Sequence, residues 1–232
     1  MKGIIAKNWE ALALRHHHKT SFRKPLPVPA EAELLRQENG KLIFSTGNGA
    51  IRACSLAAKP GDVLFVKEAW RVGAAHRYEA DARIEFKAGG PNVTMRFLSR
   101  YEYDSFISRW EVGTGRWNGP VLMPPEAARF LLLVADIRVE RLQIISDEDC
   151  IAEGIHPWTK DGRLFKYYPA DFEGDYPSCT WDSCPFTPKD AMRRVWDKSC
   201  NSQRQLWKTN PWVQVIHFDI VNNSAFAGEL KK

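Results

Sequence analysis

The sequence predicts a mixed α+β fold with a curved or closed sheet. Short apolar segments of strand periodicity alternate with short helix starts, and the alternation follows no regular βαβ rhythm. With 232 residues and 44% hydrophobic content, the chain is long enough for one substantial core but short for two ordinary domains. We therefore expect one domain over residues 1–232, with insertions.

Three apolar segments predict the main strands. The first runs from Val63 to Trp70 and places Glu68 on the same face as apolar neighbours, because successive strand side chains point to opposite faces. The others run from Phe130 to about Leu142 and from Trp212 to Ile220. A carboxylate is costly to bury without a partner, and burial raises its pKa. Glu68 is therefore expected to have a charged partner or a chemical role.

Two capping patterns predict short flanking helices. Ser146-Asp147-Glu148-Asp149 has the form of a capping box, and Gly154 supplies the stop. Thr187 and Pro188 begin a second helix. Its packing side is expected to consist of Met192, Val195, Trp196 and Ser199. The segment 30–39 also has helix-forming composition.

Two long segments are predicted to be insertions, at about 71–116 and 155–185. The second is rich in Gly, Pro, Asp and Tyr and has no sustained period, which is typical of a long ordered loop. Its aromatic side chains Trp158, Tyr167 and Trp181 are better ligand candidates than tryptophans at strand positions, which pack more often than they bind. The polar tail from about 222 is expected to fray.

The charge and the apolar segments limit the partners and the location. The net charge of +5 suits a polyanion such as a nucleic acid. The basic cluster between Arg15 and Lys24 contacts phosphates or is an ordinary solvated segment. No stretch approaches the roughly 18 apolar residues of a membrane span, and the N-terminus does not resemble a signal peptide. We expect a cytoplasmic protein with no membrane partner.

Neither a metal nor a cofactor is expected. The five cysteines are an odd number at irregular spacings, which indicates reduced thiols. A zinc site from Cys179, Cys184, Cys200 and His156 would have a Cys-x4-Cys spacing at the edge of the usual range and no second compact pair. The sequence has no P-loop, dinucleotide fingerprint, H-E-x-x-H or G-x-S-x-G motif.

Five segments, in order along the chain, resemble ASCH-like proteins found in phages and prophages. They are GDVLFVKEAW at 61–70, YEAD at 78–81, WNGPVLMPPEAAR at 117–129, VERLQIISDED with AEGI within 139–155, and NPWV at 210–213. HHKTSFRK at 17–24 is a looser match to the basic segment of that family. Together these segments span most of the chain.

The resemblance implies a PUA-like (ASCH) curved β-barrel with short flanking helices and long loop insertions. It also implies a cleft in which Lys19 and Glu68 meet and which binds a nucleic acid, RNA more than DNA, or a modified nucleobase. The ligand-binding residues that follow from this interpretation are Lys19, Thr20, Arg23, Lys67, Glu68, Trp117 and Arg129. A structural ion pair between Lys19 and Glu68 is the alternative for those two residues.

Two other functions remain open. Some relatives look like amidohydrolases acting on acylated cytidine, so an amidohydrolase or nuclease could use Lys19 as base, Glu68 as its charged partner and Ser21 as the hydroxyl. Phe22 stands where those relatives have a threonine, so Ser21 or Thr20 would have to replace that hydroxyl. A phage accessory protein that binds another protein would instead use the two insertions. The sequence sets no oligomeric state.

Overall fold

A computed structural model of the chain describes residues 1–38, 40–169, 180–200 and 202–221. These residues form thirteen strands and four α-helices. The helices are α1 Asn8–Arg15, α2 Arg100–Ile107, α3 Asp147–Ala152 and α4 Pro188–Ser199. The strands are β1 Lys2–Ile5, β2 Ser21–Pro25, β3 Glu33–Glu38, β4 Lys41–Ser45, β5 Ile51–Ser55, β6 Val63–Lys67, β7 Trp70–His76, β8 Asp81–Phe86, β9 Val93–Arg96, β10 Leu131–Arg141, β11 Ile155–Thr159, β12 Phe165–Pro169 and β13 Trp212–Val221. The predicted mixed α+β class is confirmed.

The central sheet has five strands in the order β1-β6-β10-β13-β2. β1 runs parallel to β6, and the other neighbours are antiparallel. One face packs against the apolar side of α1, where Leu12 and Leu14 belong to the same buried apolar cluster as Phe22 and Val66. Within the described ranges, β1 and β2 are the two free edges, so the sheet does not close into a barrel.

The strand predicted from Val63 to Trp70 ends early. β6 stops at Lys67, and Trp70 pairs through its backbone with Asn118 instead of continuing along β10. The expected alternation of burial nevertheless extends across this break, because Glu68 and Trp70 are both buried. The other two main strands are confirmed as β10 and β13, which pair from Leu131 opposite Val221 to Arg141 opposite Trp212.

The predicted helix caps are confirmed. The side chain of Ser146 accepts a hydrogen bond from the backbone N–H of Asp149, and that of Thr187 accepts one from Asp190. The expected helix at 30–39 is wrong, since residues Glu33–Glu38 form β3. Pairing with β4 and packing of Leu34 on a small apolar cluster outweigh the weak helical propensity of this uncapped segment.

Both predicted insertions contain sheets. The segment 71–116 includes most of the β7-β8-β9 sheet and α2, and this sheet shares a core with Phe65 and Leu131 of the central sheet. The described part of 155–185 contains the β11-β12 hairpin, where a loop was expected. Lys166 and Tyr168, two residues apart on β12, are both buried. Because one of the two is a lysine, the sequence does not show the alternation of apolar and polar residues that is typical of a strand. The tail from 222 lies outside the described residues. No helix among the described residues is long and apolar enough to span a membrane.

Gly154 allows the end of α3 to pack against α1. Its φ of +102° lies in a region that L side chains rarely adopt, and a Cβ built there would be 2.6 Å from Cβ of Ala13. We therefore expect Gly154→Ala to lower the free energy of unfolding by about 2 kcal/mol or more, since strain and overpacking act together. Urea denaturation followed by circular dichroism measures this.

Gly49→Ala is the matched control for this prediction. Gly49 also has a positive φ, +78°, but a Cβ there meets nothing within 4 Å. Backbone strain alone should cost about 1 kcal/mol. Equal losses in the two variants would contradict the close approach of Gly154 to α1.

Candidate functional site

Lys19 lies in the connection between α1 and β2 and is buried, with 1% of its surface exposed. Its Nζ donates to Oε2 of Glu153 at 2.7 Å and to the backbone carbonyl of Glu153 at 2.9 Å. Oε1 of Glu10 is 3.7 Å away, and the rings of Phe22 and Trp9 lie at 4.4 and 5.2 Å. The ammonium is therefore enclosed by two carboxylates and two aromatic rings.

Glu153 also binds the first residues of β2. Its Oε1 accepts hydrogen bonds from Oγ of Ser21 at 3.1 Å and from Nη1 of Arg23 at 3.3 Å. Ser21 and Arg23 are two residues apart on a strand and so share a face, whereas Phe22 points into the main core. Phe22 is thus a packing residue at the position where the resemblance places a threonine.

The network around Glu153 is nearly closed. Arg23 also donates to Glu140 at 2.7 Å and to Asp149 at 3.0 Å. Burial alone would raise the pKa of Glu10, but Lys24 and Lys19 outweigh that effect and hold the pKa below its usual value. A buried charge is tolerated when it is paired in this way, and removing one partner is costly. The geometry assigns Lys19, Ser21 and Arg23 a structural part in this network.

Glu68 has a different partner. It is 1% exposed, and Arg129 binds it through two parallel hydrogen bonds, from Nε to Oε1 at 3.0 Å and from Nη2 to Oε2 at 2.7 Å. Arg129 also donates to the carbonyl of Gly89. Burial raises the pKa of Glu68, although Arg129 and the more distant Arg15 oppose the rise. The expectation that Glu68 has a charged partner is confirmed.

The expected meeting of Lys19 and Glu68 is wrong, because neither contacts the other. The Lys19 segment leads into β2, and Glu68 follows β6, two strands that are separated by β10 and β13 in the central sheet. Three interstrand spacings amount to about 14 Å. Closure of the sheet into a barrel would shorten this separation, but the described sheet is open at β1 and β2.

The basic cluster at Arg15 to Lys24 presents few free cations. Lys19 and Arg23 are buried, Lys24 binds the carbonyl of Ile5 and the Glu10 carboxylate, and Arg15 binds the carbonyl of Ala88. The exposed part consists of His16, His17, His18 and Thr20. The phosphate-contact interpretation is therefore not supported by these lysines and arginines.

Two histidines stack at this surface. The rings of His18 and His156 are parallel within 10°, with centroids 4.4 Å apart, and His16 is 6.0 Å from His18. Burial lowers the pKa of His156, and positive charge on His18 and His16 lowers it further. His156 is therefore disposed to stay neutral as the pH falls below the usual histidine pKa.

A cavity of about 320 Å³ lies beside the end of the Glu68 segment. Its walls include Trp117, which is among the predicted ligand-binding residues. The full lining comprises Arg109, Trp110, Glu111, Arg116, Trp117, Asn118, Gly119 and Leu122. This volume is at the lower end of the range for small-molecule sites, so it suits a group of the size of a base rather than a large ligand.

Charge and hydrogen-bonding groups converge on this cavity. Trp117 is half-buried, and the guanidinium of Arg71 covers its ring at 4.4 Å. The backbone of Asn118 is held by reciprocal hydrogen bonds with Trp70 at 2.7 and 3.2 Å, while its side-chain amide makes no hydrogen bond within the described residues. Arg116 forms only an exposed ion pair with Glu111, at 3.6 Å. The ring of Trp117, the uncommitted amide of Asn118 and the guanidinium groups of Arg109 and Arg116 therefore line one cavity.

The segment 117–123 connects this cavity to the other predicted residues. It runs beside residues 67–70, where Nζ of Lys67 donates to the carbonyl of Val121 at 3.0 Å and the N–H of Glu68 contacts Sδ of Met123 at 3.1 Å. Lys67, Glu68, Trp117 and Arg129 thus belong to one region of the molecule. Lys19, Thr20, Ser21 and Arg23 belong to another, around Glu153.

The remaining ligand candidates pack against one another. Trp158 lies edge-on to Trp181 at 5.1 Å and to Tyr168 at 5.9 Å, and Tyr167 packs on the core beneath α4. Cys54, Cys150 and Cys200 are free thiols, whereas Cys184 is disulfide-bonded, so the expectation of reduced thiols is wrong at that position. Cys179 lies outside the described residues. No group of three or more His, Cys, Asp or Glu side chains that could hold a metal occurs among the described residues.

Sequence reasoning missed Glu153, Asn118 and Arg109. Glu153 lies in the AEGI segment, where it was interpreted only as part of a helix end. One signal in the sequence could have pointed to it. β2 carries more cationic side chains than its own segment has carboxylates to pair with, so a carboxylate from elsewhere in the fold is required if these cations are buried.

Comparison with protein-family models, with curated protein sequences and with solved structures finds no match for this chain.

We expect Glu153→Gln to lower the free energy of unfolding by about 3 to 5 kcal/mol, because the substitution leaves Lys19 and Arg23 short of a buried counter-charge. Urea denaturation is the measurement. Glu111→Gln is the control, since it removes an exposed ion pair and should change stability by less than about 0.5 kcal/mol. A small effect at Glu153 would show that the network is more solvated than the structure indicates.

The histidine stack should make stability depend on pH. The lowered pKa of His156 means that the unfolded chain binds more protons, so stability should fall as the pH drops below about 6.5. The fall in urea midpoint between about pH 7.5 and 5.5 should be smaller in His156→Gln than in the native chain. His17→Gln, at an exposed site outside the stack, should behave like the native chain. An unchanged pH dependence in His156→Gln would refute this assignment.

Proposed function

We propose that this protein is a nucleic-acid-binding module of PUA-like (ASCH) type that takes an unpaired base in the Trp117 cavity. The observation behind this proposal is the convergence of Trp117, Asn118, Arg109 and Arg116 on one cavity of about 320 Å³. RNA is the expected polymer, in line with the ASCH resemblance. The mixed sheet, with its single parallel pair and the helix α1 packed on one face, supports the PUA-like part of the proposal.

Each group in the cavity corresponds to a part of a nucleotide. The indole of Trp117 offers an apolar surface for stacking, and such stacking contributes about 1 to 3 kcal/mol per base. The free amide of Asn118 offers N–H donors and a carbonyl acceptor side by side, which can pair with the hydrogen-bonding edge of a base. Arg109 and Arg116 can bind phosphate oxygens, which guanidinium groups do with two parallel hydrogen bonds.

The Glu68–Arg129 pair supports the cavity from behind. Arg129 holds Glu68 at the point where the chain leaves the central sheet, and Glu68 in turn contacts Met123 of the cavity segment. In the proposal Glu68 holds the cavity segment in position, because both of its carboxylate oxygens are already hydrogen-bonded to Arg129. The hydrolase alternative loses its geometric basis, since Lys19 and Ser21 are bound to Glu153 and do not contact Glu68.

The proposal predicts a loss of binding in Trp117→Ala. Affinity for single-stranded RNA, measured by fluorescence anisotropy of a labelled oligonucleotide, should fall roughly 5- to 100-fold, the equivalent of one lost base stack. Arg109→Gln with Arg116→Gln should weaken binding and reduce its dependence on salt, because phosphate contacts release counterions.

Trp181→Ala is the matched control, because Trp181 is also a half-buried tryptophan but lies on the hairpin side of the molecule. It should leave RNA affinity unchanged, and circular dichroism should show all variants folded. Loss of binding in Trp181→Ala but not in Trp117→Ala would move the site to the 155–185 segment. Absence of binding by the native chain would overturn the proposal.

A further inference from the structure

We infer that the ligand is a single strand of several nucleotides, and that its second contact is an exposed surface at one end of the β7-β8-β9 sheet. This inference rests on the proposed function. We call this surface the tyrosine platform and define it by Tyr78, Leu98, Tyr101, Arg77, Arg96 and Arg100.

The platform contains the three most exposed large apolar side chains of the described residues. Tyr78 is 93% exposed, Tyr101 82% and Leu98 81%, while the next most exposed, Val121 and Ile144, reach 65%. Side chains of this kind are costly to leave in water, and a cluster of them marks a binding surface more often than an isolated one does.

The chain brings these residues together at one end of the sheet. Tyr78 lies in the turn between β7 and β8, Leu98 follows β9, and Tyr101 is in the first turn of α2. The N–H of Phe97 donates to the carbonyl of Ala80 at 2.9 Å and so ties the end of β9 to that turn.

The platform offers uncommitted guanidinium groups to the phosphates of a strand. Arg77, Arg96 and Arg100 are exposed and form no ion pair or hydrogen bond within the part of the chain that the structure describes. Four carboxylates lie nearby: Asp81 binds His76 at 2.8 Å, Glu102 accepts a hydrogen bond from the N–H of Leu98 at 3.0 Å, and Glu79 and Asp104 form no ion pair within that part. Since these carboxylates balance the arginines, a strand would be held by direct contacts of the three guanidinium groups with phosphates and not by a net positive charge.

The platform and the cavity lie at the two ends of one helix. Tyr101 is in the first turn of α2, and Arg109 and Trp110 of the cavity come just after its last residue. Eight helical residues span about 12 Å. At a rise of about 3.4 Å for each stacked nucleotide, this distance corresponds to roughly four nucleotides. One strand could therefore stack a base on Trp117 and others on the tyrosines, with arginines binding phosphates at both ends.

Unpaired bases are required for this arrangement. Exposed tyrosine rings can bind a base only through its flat face, which a duplex keeps covered by stacking, and arginines beside aromatic rings are typical of surfaces that follow a single strand. A protein partner would also use tyrosine and arginine. The connection to the cavity through α2 favours the nucleic acid.

The test compares ligand length. Affinity for nucleoside monophosphates and for mixed-sequence single-stranded RNA and DNA of two, four and eight nucleotides, measured by calorimetry, should rise with length up to about four nucleotides or slightly more. The double variant Tyr78→Ala, Tyr101→Ala should lose roughly tenfold or more of the affinity that is gained with ligand length. Its affinity for the shortest ligand whose binding depends on Trp117 should equal that of the native chain. Phe186→Ala, a 62% exposed aromatic on another part of the surface, is the matched control.

The outcomes separate the two proposals. If affinity still rises with ligand length in the tyrosine variant, the inference that the platform binds the strand is overturned, and the tyrosines would instead contact a protein partner. Affinity that is independent of length but still lost in Trp117→Ala would overturn only the polymer inference. Equal affinity for an eight-base-pair duplex would overturn the requirement for unpaired bases, and absence of binding to every ligand would overturn the proposed function itself.

Discussion

Burial of the Glu153 carboxylate among Lys19, Ser21 and Arg23 is the interaction on which the arrangement of the central sheet depends. It ties the end of α3 to the connection between α1 and β2, and the N–H of Thr20 adds a bond to the carbonyl of Ala152 at 2.8 Å. A carboxylate in this position is tolerated only with its cations, and the cations only with it. The edge strand β2, which has no further neighbour among the described strands, is held in place by this charge network as well as by its pairing with β13.

Glu68 and Arg129 perform a comparable task near the opposite edge of the same sheet. There the chain leaves β6 and begins a second sheet, and the bidentate pair holds the departure point while the segment 117–123 packs alongside. The buried carboxylates of Glu153 and Glu68 therefore both anchor parts of the central sheet. The side-chain amide of Asn118 and the platform arginines make no hydrogen bond or ion pair among the described residues, and we propose that these groups, together with Arg109, bind the ligand.

Patterns with local causes could be predicted from the sequence. β10, β13, the caps at Ser146 and Thr187, and the buried, paired state of Glu68 follow from alternation, capping chemistry and the cost of burying charge. Pairings between distant segments could not be predicted, because nothing local indicates that Lys19 meets Glu153 rather than Glu68. β3 was mistaken for a helix because its strand identity comes from β4, and the β11-β12 hairpin was missed because Lys166 interrupts its apolar period.

We propose that the ligand binds at Trp117, whereas the networks around Lys19 and Glu68 support the fold. The nine tryptophan indoles make a direct test possible, because each Nε1–H gives its own signal in a nitrogen–proton correlation spectrum. Titration of a short single-stranded RNA should shift the signals of Trp117 and its neighbour Trp110 most, and leave those of Trp158 and Trp181 in place. Largest shifts at Trp9, beside Lys19, would contradict the claim and return the site to the Lys19 region.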